Sequence, residues 1–259
     1  MPFRRLLLAV LALVPAACLL IGSVIPAGAQ SFSTDQRKEI EEIVHSYLLR
    51  NPEVLQEVLI ELEKRQSVAE AEKAKAAVKS NATLLFNSPR HVVVGNPKGD
   101  VTLIEFFDYN CGFCKRALAD LVDLMKGDPN LRVVLKEFPV LGEGSVEAAK
   151  VAIAAHMQDK SGKKYFDLHQ KLLGSRGPAN KARALAVAKE VGYDVARIER
   201  DMASDEVKAT IAESMKLAEA LGLNGTPSYV VGDNVVIGAV GHDALKQKVN
   251  WARCGQVAC

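Results

Sequence analysis

The sequence predicts an α/β protein: a mixed sheet flanked by helices and interrupted by a helical insertion, with a separate helical segment in front of it. Three observations carry this. Apolar runs at residues 101 to 107 and 131 to 139 bracket an amphipathic stretch marked by Leu118, Leu121, Val122, Leu124 and Met125, giving the strand, helix, strand order of an α/β unit. Residues 145 to 221 then show only helical periodicity before two more apolar runs, 228 to 232 and 235 to 240. Ahead of all this, residues 30 to 87 carry helical stripes and no strand pattern.

Residues 1 to 29 read as a cleaved signal peptide: Arg4 and Arg5, an apolar stretch from Leu6 to Ile25, then Ala27, Gly28 and Ala29 as small residues before Gln30. Two readings compete with cleavage. A lipoprotein processed at Cys18 would need a lipobox that Pro15 fits badly, and an uncleaved anchor is allowed by an apolar stretch of nearly bilayer-spanning length. Export to the periplasm is the expectation. Loss of the leader removes Arg4 and Arg5 from 33 basic residues against 31 acidic ones, so the mature chain is formally neutral and nothing favours nucleic acid as a partner. Of five cysteines, Cys18 leaves with the leader, and the remaining four suit two disulfides in an oxidising compartment.

In the segment 30 to 87, Ser33 and Gln36 form a capping pattern before Ile40, Ile43, Val44, Tyr47 and Leu48. Asn51 and Pro52 then start a second helix whose stripe is Val54, Leu55, Val58, Leu59 and Leu62. Residues 70 to 79 are alanine and charge, good helix formers with little to bury. Two short helices and an arm have no core of their own. They either pack back on the following domain or pool their stripes in a self-association module.

The domain from 88 to 259 opens after Asn87, Ser88 and Pro89, with strands expected at 91 to 94 and 101 to 107. The second strand runs into Asp108, Tyr109, Asn110 and then Cys111, Gly112, Phe113 and Cys114 at the start of the amphipathic helix. Unpaired N–H groups and the positive dipole end favour an anion there, so Cys111 is expected to be the more acidic and more exposed thiol, the nucleophile. Cys114, nearly one turn on, can close a disulfide with it or release a mixed disulfide, and is the resolving thiol. A zinc half-site is the rival reading, but no second Cys pair or paired histidine supplies the remaining ligands. Glu105 is a carboxylate in an otherwise apolar strand: an edge position or a buried functional one. Lys136 and Glu137 read as a solvated pair near the end of the next strand, and His45, His91, His156, His169 and His242 as packing or surface residues. The last two strands are expected to join at Asp233 and Asn234, and a helix over 243 to 252 closes the domain.

The run 101 to 115, with Gly225, Thr226, Pro227 and Ser228, resembles the DsbA-like branch of the thioredoxin superfamily, and within it the secreted suppressor of copper sensitivity protein C and Com1-type proteins. The likeness covers about residues 90 to 253. It implies a thioredoxin fold with an inserted helical subdomain over about 145 to 221, and a cis peptide before Pro227 facing the cysteine pair. It further implies that Thr226 and Pro227 dock an extended substrate segment beside Gly112 and Phe113. A family acid six residues before the first cysteine corresponds to Glu105 and would assist proton transfer at Cys114. Members with an N-terminal oligomerisation region, trimers among them, favour the self-association reading and a trimer over a dimer.

Gly112 and Phe113 depart from the Pro-His of the strongly oxidising relative and lack its histidine. Glycine-aromatic between the cysteines, Thr226 and the helical arm are nearer to disulfide isomerases. The expectation is therefore an isomerase or reductase of protein disulfides, kept reduced by a membrane partner, with no cofactor beyond the dithiol. A dithiol oxidase and a Cu(I) carrier holding the soft ion at Cys111 and Cys114 are the alternatives. Cys254 and Cys259, with four residues between them in the tail, are expected to form a small-loop disulfide worth about 2 kcal/mol; a second redox or metal-binding pair is the other reading.

Overall fold

The computed structural model describes residues 32–259, so the leader and its competing readings lie outside the described residues. The chain divides into two compact units, one ending at Glu61 and the other running from Leu62 to Cys259.

In the first unit, α1 (Thr34–Arg50) starts on Ser33, whose side chain accepts from Gln36 N–H while the Gln36 side chain accepts from Ser33 N–H, a complete capping box. Asn51 ends it and α2 (Glu53–Ser80) begins. Helix α1 buries none of its residues: Ile40, Ile43, Val44 and Tyr47 are exposed, as are Leu55, Val58 and Leu59 of α2.

The second unit holds the end of α2, α3 (Ala82–Phe86), β1 (Val92–Gly95), β2 (Val101–Phe107), α4 (Gly112–Gly127) and β3 (Leu131–Glu137). Five helices follow, α5 (Glu143–His156), α6 (Lys163–Gly174), α7 (Lys181–Val191), α8 (Val195–Asp201) and α9 (Asp205–Ala220). Strands β4 (Ser228–Val231) and β5 (Asn234–Ile237) and helix α10 (His242–Cys254) complete it. The sheet order is β1-β3-β2-β4-β5, with β2 and β3 parallel and the other pairs antiparallel. Only the parallel pair needs a crossover, and α4 provides it.

Strand alternation sends the two sets of β2 side chains to opposite faces. Leu103 and Phe107 join a core with Leu121 and Leu124 of α4 and Leu245 and Val249 of α10. Ile104 and Phe106 join a second with Val134, Phe138, Val230 and, from α9, Leu217 and Ala218. Val78 at the end of α2 and Leu85 of α3 belong to this second core, so the alanine and charge segment does have something to bury at its C-terminal end.

The final hairpin differs from expectation. Val231 pairs with Asn234, so the two-residue turn is Gly232 and Asp233. Gly232 takes the positive φ of +61° that such turns require, and a Cβ there would lie 3.2 Å from the Ala252 Cβ of α10.

Lys136 and Glu137 are not a solvated pair; both are buried. The Lys136 ammonium donates to Glu213 at 2.8 Å and to the Leu84 carbonyl at 3.1 Å, while Glu137 accepts from the Tyr109 and Tyr165 hydroxyls. Their partners lie 28 to 77 positions away, beyond any local pattern. His169 is a neutral core residue, its value lowered to about 3 by burial, with its ring edge-on to Phe107 at 4.5 Å.

Candidate active site

Cys111 is the N-cap of α4, in the place where Ser, Thr or Asp usually stands, and its sulfur accepts the Cys114 backbone N–H at 3.4 Å. The Cys111 thiol donates to the Thr226 carbonyl at 3.1 Å. Thr226–Pro227 is a cis peptide, and Gly225 and Ser228 complete the loop through a 2.7 Å bond from the Ser228 hydroxyl to the Gly225 carbonyl. Two motifs 115 positions apart thus meet at one sulfur.

Both thiols are free. Cys111 is 5% exposed and Cys114 fully buried, so of the pair the first is the one an incoming group reaches. Burial pushes the Cys114 thiol up, with the Glu105 carboxyl and Cys111 adding to the effect. Gly112 is exposed, and Phe113 is 58% exposed with the Arg116 guanidinium 4.4 Å over its ring, an aromatic face offered to solvent beside the cysteines.

Glu105 lies on β2, between β3 and β4, which rules out the edge position. It is 1% exposed, faces Tyr229 across the antiparallel ladder, and its carboxyl is raised to about 8 by burial. One of its oxygens, Oε2, has no hydrogen-bond partner. Lying on the same strand face as Phe107, it sits on the α4 side of the sheet, and its charge is felt by Cys114.

Cys254 and Cys259 are joined, with Cα atoms 6.4 Å apart, at the end of α10. Arg253, next to the bridge, pairs with Asp100 and Asp128, each at 2.8 Å. The bridge therefore stands by the start of β2, whereas Cys111 follows its end. Among the described residues no group of three or more His, Cys, Asp or Glu side chains is arranged to hold a metal ion, and no helix is long and apolar enough to cross a membrane.

Sequence reasoning missed Asp108 and Asn110, whose side chains bind the cysteine turn to the loop after β3, to α5 and to the segment ahead of α7. Two Asx residues just before a helix start were a visible signal, since both tend to bond nearby backbone. It gave no hint of their remote partners.

Comparison with known proteins places this geometry. The family model of the DSBA-like thioredoxin domain matches residues 102–250, and that of the copper resistance protein ScsC N-terminal domain matches residues 36–69. A thioredoxin-like oxidoreductase from Silicibacter pomeroyi is 50% identical, with a TM-score of 0.64 over 67% of this chain and 98% of that one. Proteus mirabilis ScsC in a transitional conformation is 27% identical, with a TM-score of 0.63 over 87% of this chain and 98% of its own. The Na(+)/H(+) antiporter NhaA 1 of Salinispora arenicola is 27% identical over 166 residues; this chain spans about a quarter of the length of the curated relatives it matches. A cysteine pair capping the helix after β2, a cis proline opposite it and a helical insertion between the two, over a stretch that the DSBA-like model matches almost end to end, are features of one family: the chain belongs to the DsbA-like thioredoxin domain family of thiol-disulfide oxidoreductases, and carries an ScsC-type N-terminal domain.

Proposed function

We propose that this protein is an exported, periplasmic disulfide isomerase or reductase acting on protein substrates through Cys111 and Cys114. The observation that carries this reading is the Cys111 sulfur at the N-cap of α4, 3.1 Å from the Thr226 carbonyl. A thiolate there is flanked by a helix N-terminus and by backbone that an extended substrate segment can pair with. Thr226 and Pro227 dock that segment, and Gly112 and the exposed Phe113 give it an open, apolar edge.

The chemistry runs as two exchanges. The Cys111 thiolate attacks a substrate disulfide, forming a Cys111 to substrate bond and releasing one substrate thiolate. In isomerisation that or another substrate thiolate attacks the mixed disulfide, restores Cys111 and leaves the substrate re-paired, with no net electron transfer. In reduction Cys114 attacks Cys111 instead, the second substrate thiol leaves, and the Cys111–Cys114 disulfide retains the oxidation until a membrane dithiol partner removes it. Glu105, a buried carboxyl on the Cys114 side, takes in its ionised form the proton that the fully buried thiol must lose to attack. No cofactor is needed. The N-terminal helices, with their exposed stripes and their match to the ScsC N-terminal domain, support a homo-oligomer, a trimer in preference to a dimer, that brings several cysteine pairs to one substrate.

The test is to incubate the reduced full chain with a scrambled multi-disulfide protein, beside Cys111→Ser. Recovery of native pairing by the wild type alone is the expected result. If instead only the oxidised protein acts, and acts by closing disulfides in a reduced substrate, it is an oxidase. Tight Cu(I) binding lost in Cys111→Ser, with no turnover, would make it a metal carrier.

A further inference from the structure

We propose that Asp108 and Asn110 are positioning residues through which the helical insertion fixes the Cys111 turn; this rests on Cys111 being the attacking thiol. The turn from β2 to α4 is closed by the Cys111 N–H on the Asp108 carbonyl at 3.1 Å. Its side chains reach much further. The buried Asp108 carboxylate accepts four bonds from neutral donors: Oδ1 from the Asn110 N–H and the Ser145 hydroxyl, both at 2.7 Å, and Oδ2 from the Val140 and Leu141 N–H groups at 2.8 and 3.0 Å. Asn110 in turn accepts from the Ala179 N–H at 2.8 Å and donates to the Ala179 carbonyl at 2.8 Å and to Ser145 at 3.0 Å. Ser145 lies in α5 and Ala179 just ahead of α7, so both anchors belong to the insertion.

A turn that only had to connect β2 to α4 would need the local bond from Asn110 N–H to Asp108 and no more. Of the remaining bonds, those with Ser145 and Ala179 tie two residues, one and three positions before the nucleophile, to a separate subdomain, and those from Val140 and Leu141 tie Asp108 to the loop after β3. A buried carboxylate is also intolerant of losing a donor, which makes the tie stiff. The sulfur has two contacts to keep, with Thr226 and with the Cys114 N–H, and both come from elements outside the insertion. A displacement of about 1 Å is enough to cost on the order of a hundredfold in rate. Loosening the clamp therefore frees Cys111 to move relative to Cys114 and Thr226.

The experiment uses the full chain. Asn110→Ala removes three bonds, Asn110→Asp keeps the acceptor for Ala179 N–H and removes the two donors, and Val187→Ala loosens the insertion core in α7 without touching the clamp. Two quantities are read: the equilibrium of the cysteine pair with glutathione, and kcat and KM on a scrambled protein. Asn110→Ala is expected to change the equilibrium at least about fivefold and lower kcat at least about tenfold with KM within about twofold. Asn110→Asp, which sets a carboxylate oxygen against the Ala179 carbonyl, should depart from the wild type at least as far. Val187→Ala should lower the melting temperature and leave both readouts within about twofold of wild type. Equal behaviour of Asn110→Ala and Val187→Ala overturns the proposal. If Asn110→Ala fails to fold, Asn110→Asp decides on the same criteria. Turnover that survives Cys111→Ser would instead sink the assignment of the nucleophile, while the glutathione equilibrium still reads the clamp.

Discussion

Glu105 stands on the strand leading to Cys111, buried, with its acid raised from 4.5 to about 8. A folded-state value above the unfolded one means that the fold prefers the protonated acid. The stabilisation is fully present below the unfolded value of 4.5 and is lost as pH rises through about 8. Glu105→Gln removes this dependence, so its melting temperature should gain on the wild type between those limits; a constant difference across the range would contradict the burial argument. The same substitution should also alter how Cys114 reactivity depends on pH, and an unchanged profile would remove Glu105 from the proton path. Cys114 supplies a second test at this scale. Cys114→Ser should leave the Cys111 mixed disulfide to be resolved only by outside thiols, so that the adduct accumulates in non-reducing mass spectra at least about tenfold over wild type.

At the scale of the element, α4 buries Cys114, Ala117, Leu121 and Leu124 along one stripe, and the spacing of three, four and three residues makes that face readable in advance. Leu121→Ala should cost about 2–5 kcal/mol in denaturant unfolding, the range for a fully buried leucine. Lys136 teaches the opposite lesson. It reads as a solvated charge near a strand end, yet its side chain is 2% exposed, against 8% for its partner Glu213. The ammonium also caps α3 at the Leu84 carbonyl. Lys136→Met alone should destabilise the fold by less than the roughly 3–5 kcal/mol of a fully stranded buried charge, because Arg90 still pairs with Glu213 at 3.5 Å, and Lys136→Met with Glu213→Leu should cost less again. Helices, strands and the cysteine pair were legible because each depends on neighbours within a few positions. The Asp108 and Asn110 bonds, the Glu137 hydroxyl contacts and the Lys136 pair were not, because their partners come from segments that only the fold brings near. The hairpin turn slipped by one residue for a smaller reason: Gly232 takes the positive φ more readily than the Asp-Asn pair would.

At the scale of the whole molecule, α1 has no buried residue, and the ScsC N-terminal match covers it together with the first half of α2. Apolar stripes of that kind ask for a partner, and copies of the same chain are the economical one. For the homo-oligomer proposed above, Ile43→Asp with Val58→Asp should reduce the mass seen in sedimentation to that of one chain while the Cys111 pair still exchanges with glutathione. The Cys254–Cys259 bridge has a different consequence. It stands by the start of β2 and Cys111 beyond its end, seven strand residues or about 23 Å away. No electron pair can pass directly between them by thiol exchange, which needs sulfurs in contact. One molecule therefore carries two independent gauges. Under the proposed function, the bridge registers whether a chain has passed through an oxidising compartment, and the Cys111 pair registers what a recycling partner has done to it since.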